Sequence, residues 1–358
     1  MIPAEAKTSP RRRTADPGPG GVLAEAKTSP RGLVDETRPA APRVGAHEPG
    51  QARPYPLYGI CVRSDLPLPC RSAAAEGAPV VELCEGNGTT FAAAPKAPDG
   101  DWFRHARLED GADHLRWRDH FEFLVAADGR RIDYRAYPDA LPDSLHAYLL
   151  GQVLSFALIK LGREPLHGTA MQVGDGCIAF LGDCGAGKST LAAALLGRGH
   201  ALLTDDLLVL RRRGSGYLAH PGLPRLKIFP EVATAIFGGR ANGTPLNRDT
   251  AKMILPLCAR QAAGEPLPLR AIHVLEPGAD ETFGGPPEIV ELTRRDAAVA
   301  LMANTFNLVI RDPERLAALF AFATEVAERV PVKRLRYRRD LGELASVGAA
   351  VVADAADS

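Results

Sequence analysis

The stretch Gly182-Asp183-Cys184-Gly185-Ala186-Gly187-Lys188-Ser189 constrains this 358-residue chain more than any other. It fits G-x-x-x-x-G-K-[ST], in which glycines let successive backbone N–H groups converge on phosphate oxygens. The apolar run at 177–181 leads straight into it, and Thr190-Leu191-Ala192-Ala193-Ala194-Leu195-Leu196 follows with helix-favouring residues. Strand, glycine loop and helix is the setting this motif requires, so the chain is expected to bind a nucleoside triphosphate. In that reading Lys188 reaches the β- and γ-phosphates, the Ser189 hydroxyl ligates magnesium, and the helix N-terminus adds its partial positive charge. Gly182, Asp183, Cys184, Gly185, Ala186, Gly187 and Thr190 complete the nucleotide-binding loop, with Cys184 as a small filler rather than a redox switch.

One helix and one turn later comes Leu202-Leu203-Thr204-Asp205-Asp206-Leu207-Leu208-Val209-Leu210, which reads as an apolar strand interrupted by two carboxylates. Adjacent acids in such a strand are costly unless a cation or a substrate uses them. The spacing is shorter than in most motor and transporter P-loop ATPases and argues for another class. One carboxylate near magnesium and one near a substrate hydroxyl would suit phosphoryl transfer. A strand-end turn with solvated acids is the competing reading.

Lys plus Arg and Asp plus Glu are equal at 43 each, so no net field draws the chain to nucleic acid or to an anionic membrane. The six cysteines form no C-x-x-C pair and read as buried thiols in a reducing cytosol. No apolar run approaches the roughly 18 residues of a membrane span, and the first residues lack the apolar block of a signal peptide. A soluble, cytoplasmic protein is expected.

Composition along the chain suggests a tail and two domains. Residues 1–53 are rich in Pro, Ala, Gly and Arg, carry a repeated polar octamer (Ala4-Glu5-Ala6-Lys7-Thr8-Ser9-Pro10-Arg11 and its copy from Ala24), and are expected to be disordered. Residues 54–162 read as a β-rich domain with a linking helix, its strands at 57–62, 80–83, 102–108, 114–117, 121–125 and 131–134, and its helix at 144–161. Asp110-Gly111 and Asp128-Gly129 predict tight antiparallel hairpins. Residues 163–354 would form the P-loop domain, ending in helices with a strand-like break at 332–337.

His167-Gly168-Thr169, the loop at 182–189, and Arg198-Gly199-His200 followed by Asp205-Asp206 resemble, in order and spacing, the catalytic domain of the HPr kinase/phosphorylase family. The resemblance implies an α/β P-loop fold of the HPr kinase and phosphoenolpyruvate carboxykinase type, here with an N-terminal β-rich α+β domain. It also implies ATP and Mg2+ as cofactors and transfer of phosphate to a serine hydroxyl. On the matching positions Asp206 becomes the proton acceptor, Lys188 the phosphate ligand, and His167 a catalytic histidine beside the acid. Ser189, Asp205 and Glu231 become the magnesium-side oxygens.

The N-terminal domain does not resemble that family's regulatory domain, and the glycine-rich segment that follows its second magnesium acid is missing. The chain is more similar to divergent HPr-kinase-like proteins encoded with ribosomally made peptides, lasso-peptide precursors among them. Those open on a Tyr-x-x-x-Gly-x-x-x-x-Ser-x-x-x-Leu-Pro pattern, which Tyr55-Pro56-Leu57-Tyr58-Gly59-Ile60-Cys61-Val62-Arg63-Ser64-Asp65-Leu66-Pro67-Leu68-Pro69 resembles. A peptide or protein carrying an acceptor serine is therefore the expected partner, with homo-oligomerisation left open by the resemblance. Lys252 and Arg248 are candidates for touching phosphate. A nucleotide-dependent regulatory module without transfer, and a kinase for a small hydroxylated molecule, are the other two readings.

Overall fold

A computed structural model describes residues 52–95, 102–138, 140, 142–246, 250–276, 285–307 and 309–356. The tail expected at 1–53 lies almost wholly outside them, as does Arg248.

Among the described residues, seven strands form the first sheet: β1 (Arg53–Leu57), β2 (Ile60–Ser64), β3 (Val80–Glu85), β4 (Phe103–Arg107), β5 (Asp113–Trp117), β6 (Phe121–Val125) and β7 (Arg131–Ala136). Their order is β1-β2-β3-β7-β6-β5-β4. Both Asp-Gly turns join antiparallel partners, β4 to β5 and β6 to β7, with Gly111 and Gly129 at positive φ. The apolar run at 57–62 is not one strand. Tyr58 and Gly59 both take positive φ, 53° and 73°, and turn the chain back between β1 and β2. A tyrosine is an unusual choice for that conformation. It is held there by burial and by its own N–H, which donates to the Pro221 carbonyl at 2.9 Å.

One face of this sheet packs on α1 (Pro142–Tyr148), which runs through a π-helical stretch at Leu149–Val153 into α2 (Leu154–Lys160). The shared core includes Leu115, Phe121, Phe123, Val153 and Phe156, and it extends to Leu207, Val209 and Leu223 beyond the glycine loop. Apolar packing thus crosses residue 162.

The second sheet begins with β8 (Leu166–Val173) and β9 (Gly176–Leu181), joined by a tight antiparallel turn. α3 (Lys188–Gly197) follows the glycine loop. Next come β10 (Leu202–Thr204), β11 (Leu207–Leu208), β12 (Leu210–Arg213) and β13 (Gly216–Ala219). The apolar run at 202–210 is therefore broken at the two acids, and Asp206 turns the chain at φ 76°. β14 (Arg225–Ile228), β15 (Thr244–Pro245) and β16 (Met253–Pro256) form a small separate sheet, with α4 (Pro230–Phe237) between its first two strands. β17 (Leu267–Leu275) returns to the main sheet beside β9, parallel to it. β18 (Glu288–Glu291), α5 (Arg294–Ala303), α6 (Pro313–Arg329), β19 (Val332–Arg336) and α7 (Leu344–Ala356) complete the chain. β19 lies parallel to β17, so the strand-like segment expected at 332–337 is a strand of the main sheet.

Every residue of β9 is buried. Its alternation sends Ile178 and Phe180 into one apolar layer with α3 and α7, and Cys177, Ala179 and Leu181 into another with α5 and α6. A sheet covered on both faces accounts for a strand with no polar alternation. α3 ends in a Schellman arrangement, with His200 N–H on the Leu195 carbonyl, Gly199 N–H on the Leu196 carbonyl and Gly199 at φ 92°. The architecture is mixed α/β.

All six cysteines are free, but the expectation of buried thiols holds only for Cys61 and Cys177. Cys184 is exposed, because the tip of the glycine loop faces outward, and Cys70, Cys84 and Cys258 are half-buried.

Candidate active site

The glycine loop stands at the C-terminal end of β9, where the chain leaves the buried sheet and enters α3. Gly182, Gly185 and Gly187 take φ of 143°, 83° and 103°, a backbone that side chains with a Cβ resist. A Cβ on Gly187 would also stand 2.8 Å from the Tyr337 hydroxyl. Asp183, Cys184 and Gly185 are exposed, Ala186 is buried, and Ser189 and Thr190 at the start of α3 are half-buried. The buried Lys188 donates through Nζ to the Gly182 carbonyl at 2.6 Å and to the Asp183 carbonyl at 3.1 Å. Burial pulls its pKa down, opposed by the charge of Asp205.

Asp205 is the buried hub. Its Oδ1 accepts from the Thr169 hydroxyl at 2.8 Å and from the Ser189 hydroxyl at 3.4 Å, and its Oδ2 accepts from the Lys227 N–H at 2.9 Å. Burial and the neighbouring Asp206 charge push its pKa up. Asp206 is ion-paired with the Lys227 ammonium. Burial alone would raise the Asp206 carboxyl, but Lys227, His167 and Arg225 hold it at about 2. His167 sits across the β8–β11 pairing, opposite Leu207, and Gly168 N–H donates to the Asp206 carbonyl at 3.1 Å. Burial, then the Lys188 charge, lowers the His167 pKa to about 4, so its imidazole is neutral at pH 7.

His167, Lys188, Ser189, Asp205 and Asp206 therefore meet in one place. Glu231 does not join them through any hydrogen bond or ion pair. It is exposed in the first turn of α4, where a carboxylate complements the helix N-terminus. Among the described residues, no group of three or more His, Cys, Asp or Glu is arranged to hold a metal ion. The Ser189 hydroxyl and the Asp205 carboxylate are nonetheless hard oxygen donors beside a glycine loop. That donor set suits magnesium, which keeps several waters and takes only one or two protein oxygens. Lys252 lies over the Phe229 ring at 5.4 Å, and its charge is felt by both His167 and Lys188.

Two contributors escape the sequence pattern. Lys227 lies in a short strand of no recognisable motif, yet it touches both acids. Asn304, at the C-terminal end of α5, accepts the Gly182 N–H through Oδ1 at 2.8 Å, and its backbone carbonyl accepts the His167 N–H at 2.6 Å. The following Phe306 packs its ring on His167, centroids 5.1 Å apart. Buried Arg315 pins this segment by donating to the carbonyls of Phe306 at 2.6 Å, Ile310 at 2.9 Å and Asn307, while pairing with buried Glu164 at 3.3 Å.

This site, a glycine loop and paired acids at the end of a covered sheet, resembles that expected of an HPr-kinase-like chain. Comparison with known proteins agrees, and the chain is similar to HPr kinase/phosphorylases over part of their length. It is 34% identical over 85 residues to the HPr kinase/phosphorylase of Prosthecochloris aestuarii, covering 22% of this chain and 25% of that one. With the enzyme of Neisseria meningitidis serogroup A it shares 31% over 139 residues, 35% of this chain and 43% of the other. With that of Ralstonia pickettii it shares 27% over 216 residues, 53% of this chain and 62% of the other. The matches thus span between 25% and 62% of these relatives' own length. No family model matches the chain. Among solved structures it is similar to the Hpr(Ser) kinase/phosphatase from Coxiella burnetii, with a TM-score of 0.30 and 13% identity, over 54% of this chain and 97% of that one. Among the described residues no helix is long and apolar enough to cross a membrane.

Proposed function

We propose that the chain is an ATP- and magnesium-dependent serine kinase acting on a peptide or protein, of which a ribosomally made precursor peptide is the specific candidate. The domain limits 54–162 and 163–354 belong to this proposal. The observation that carries it is the Asp205 carboxylate, which accepts the Ser189 hydroxyl of the glycine loop while Asp206 stands beside it and beside His167. Paired acids in that position separate two tasks, one facing the phosphates and one facing the acceptor.

Ser189 and Asp205 would hold magnesium, which when bound offsets charge on the phosphate oxygens. Lys188 and the loop N–H groups bind and orient the triphosphate. Asp206 orients the acceptor serine and takes its proton as the hydroxyl oxygen forms a bond to the γ-phosphorus and the bond from that phosphorus to the β-phosphate oxygen breaks, leaving ADP. A carboxylate with a pKa of about 2 is a weak base. Phosphoryl transfer tolerates this, because its loose transition state needs positioning and charge neutralisation more than early proton removal. Neutral His167, next to Asp206, is placed to take up the proton in turn.

The test is transfer of labelled γ-phosphate from ATP with magnesium to three kinds of acceptor: precursor peptides encoded beside this gene, a phosphocarrier protein, and small alcohols. Label on a peptide serine supports the reading. Label on a small alcohol alone would make it a small-molecule kinase, and ATP binding with no labelled product would make it a nucleotide-dependent regulatory module.

A further inference from the structure

Lys227 is fixed at its backbone and paired at its ammonium. Its backbone is set by the antiparallel register of β14 on β16, opposite Ile254, and by its N–H on Asp205 Oδ2 at 2.9 Å. Its side chain extends from that fixed point across the two acids to pair with Asp206. The pair is not sealed off, since the two side chains are 15% and 25% exposed. Asp205 is occupied elsewhere by Thr169 and Ser189. The Lys227 ammonium is thus the cation that neutralises the proposed acceptor-side carboxylate, and it hangs on a flexible four-carbon stem.

Such a pairing conflicts with the task assigned to Asp206. A carboxylate engaged by an ammonium offers fewer lone pairs to a serine hydroxyl. A terminal phosphoryl group, however, carries more negative charge and more acceptor oxygens than a carboxylate, so it outcompetes one for a nearby lysine. The glycine loop would deliver such a group next to Asp205, whose Oδ1 accepts the Ser189 hydroxyl and whose Oδ2 accepts the backbone N–H of Lys227.

We propose that Lys227 exchanges partners, its ammonium leaving Asp206 for the γ-phosphate of the bound triphosphate, so that nucleotide binding itself releases Asp206 for the acceptor hydroxyl. This inference rests on the kinase reading of the site and adds an order to it, with triphosphate before acceptor. It also assigns to Lys227 the discrimination between ATP and ADP, since only ATP carries the group that draws the ammonium away.

The test is calorimetric titration of ATP and of ADP, each with magnesium, into the full chain and into Lys227→Met, Lys227→Arg, Asp206→Asn and the double variant Asp206→Asn/Lys227→Met. Lys227→Gln serves as a second neutral variant should the methionine form fold poorly. Loss of one charge-assisted contact weakens ATP binding by about tenfold in Lys227→Met and leaves ADP binding unchanged. Lys227→Arg keeps the preference for ATP. Asp206→Asn tightens ATP binding because the competing carboxylate is gone, and this tightening disappears in the double variant. If Asp206→Asn tightens ATP equally with and without Lys227, plain repulsion between Asp206 and phosphate accounts for it and the exchange is overturned. Equal weakening of ATP and ADP in Lys227→Met also overturns it. A chain that shows the predicted coupling but labels no acceptor keeps the Lys227 contact and loses the kinase reading. A chain that labels a serine while its ATP affinity ignores Lys227 does the reverse.

Discussion

The Asn304 side-chain oxygen accepts the Gly182 N–H at 2.8 Å across 122 positions of sequence, so the residue that opens the glycine loop is held from the end of α5. The same side chain donates through Nδ2 to the Ala300 carbonyl at 2.8 Å, which fixes the orientation of its amide. Asn304→Ala removes the acceptor and leaves the Gly182 N–H without its partner. Its expected cost is about 1 kcal/mol in urea denaturation and a severalfold weaker binding of ATP. Unchanged nucleotide affinity in a folded variant would mean that Asn304 does not organise the loop.

The proposed division of labour between Lys188 and Asp206 can be tested in the transfer assay described above. Lys188→Ala is expected to abolish labelling of the acceptor through lost phosphate binding. Asp206→Asn keeps the shape of the side chain and loses its charge, and is expected to slow transfer by about 10²- to 10⁴-fold. Normal turnover in Asp206→Asn would remove it from the proton path.

Gly187 combines φ 103° with the Tyr337 hydroxyl 2.8 Å from the position a Cβ would take. Gly187→Ala is therefore expected to lose about 1–3 kcal/mol from backbone strain, with the steric conflict added. Pairing it with Tyr337→Phe relieves the second contribution only. Thermal unfolding of the single and double variants separates the two, and full recovery in the double variant would show that strain at Gly187 is negligible.

In the first sheet, buried Glu122 accepts from His114 at 3.0 Å, from Arg135 at 2.6 Å and from the Tyr137 hydroxyl at 3.0 Å. Burial would raise its pKa, but these three donors overcome it and hold the carboxyl below the ordinary range. A carboxylate with a depressed folded-state pKa binds fewer protons folded than unfolded. Its contribution is present above the unfolded value, near 4.3, and is lost as pH falls through the folded value. Stability measured by urea at pH 7, 5 and 3 should thus decline toward acid, and Glu122→Gln should flatten that decline. An equal slope in the variant would place the acid sensitivity elsewhere.

Arg315→Ala would strip three loop carbonyls of a donor and leave Glu164 buried without its cation. Breaking a buried pair by removing one partner costs about 3–5 kcal/mol. Because Phe306 rests on His167, proton-exchange NMR of the His167 ring should report loosening of the site in any folded fraction. An undisturbed His167 signal would confine Arg315 to a structural role.

Much of the local structure was legible because it follows from short-range rules. The glycine loop between a strand and a helix and the two Asp-Gly hairpins depend on residues within a turn of one another. Where the pattern misled, a distant contact had overridden it. Tyr58 reads as a strand residue, but its N–H bonds to Pro221 and its ring enters the core, so the chain turns there. Asp205-Asp206 reads as a strand interruption, yet the break is a positive-φ turn that presents one acid to the glycine loop and the other to Lys227.

Motif order alone placed a G-x-x-x-x-G-K-[ST] loop, a histidine and two acids in a sequence that resembles HPr kinases. Packing adds Lys227, Asn304 and Arg315 around them, whereas Glu231 is exposed on the first turn of α4 with no hydrogen bond or ion pair to the acids. The physical reason is reach. Periodicity and motif spacing record which residues are near along the chain, whereas the charges that set the pKa values of His167 and Asp206 arrive through β14, α3 and the loop before β16, brought together only when the sheets are packed.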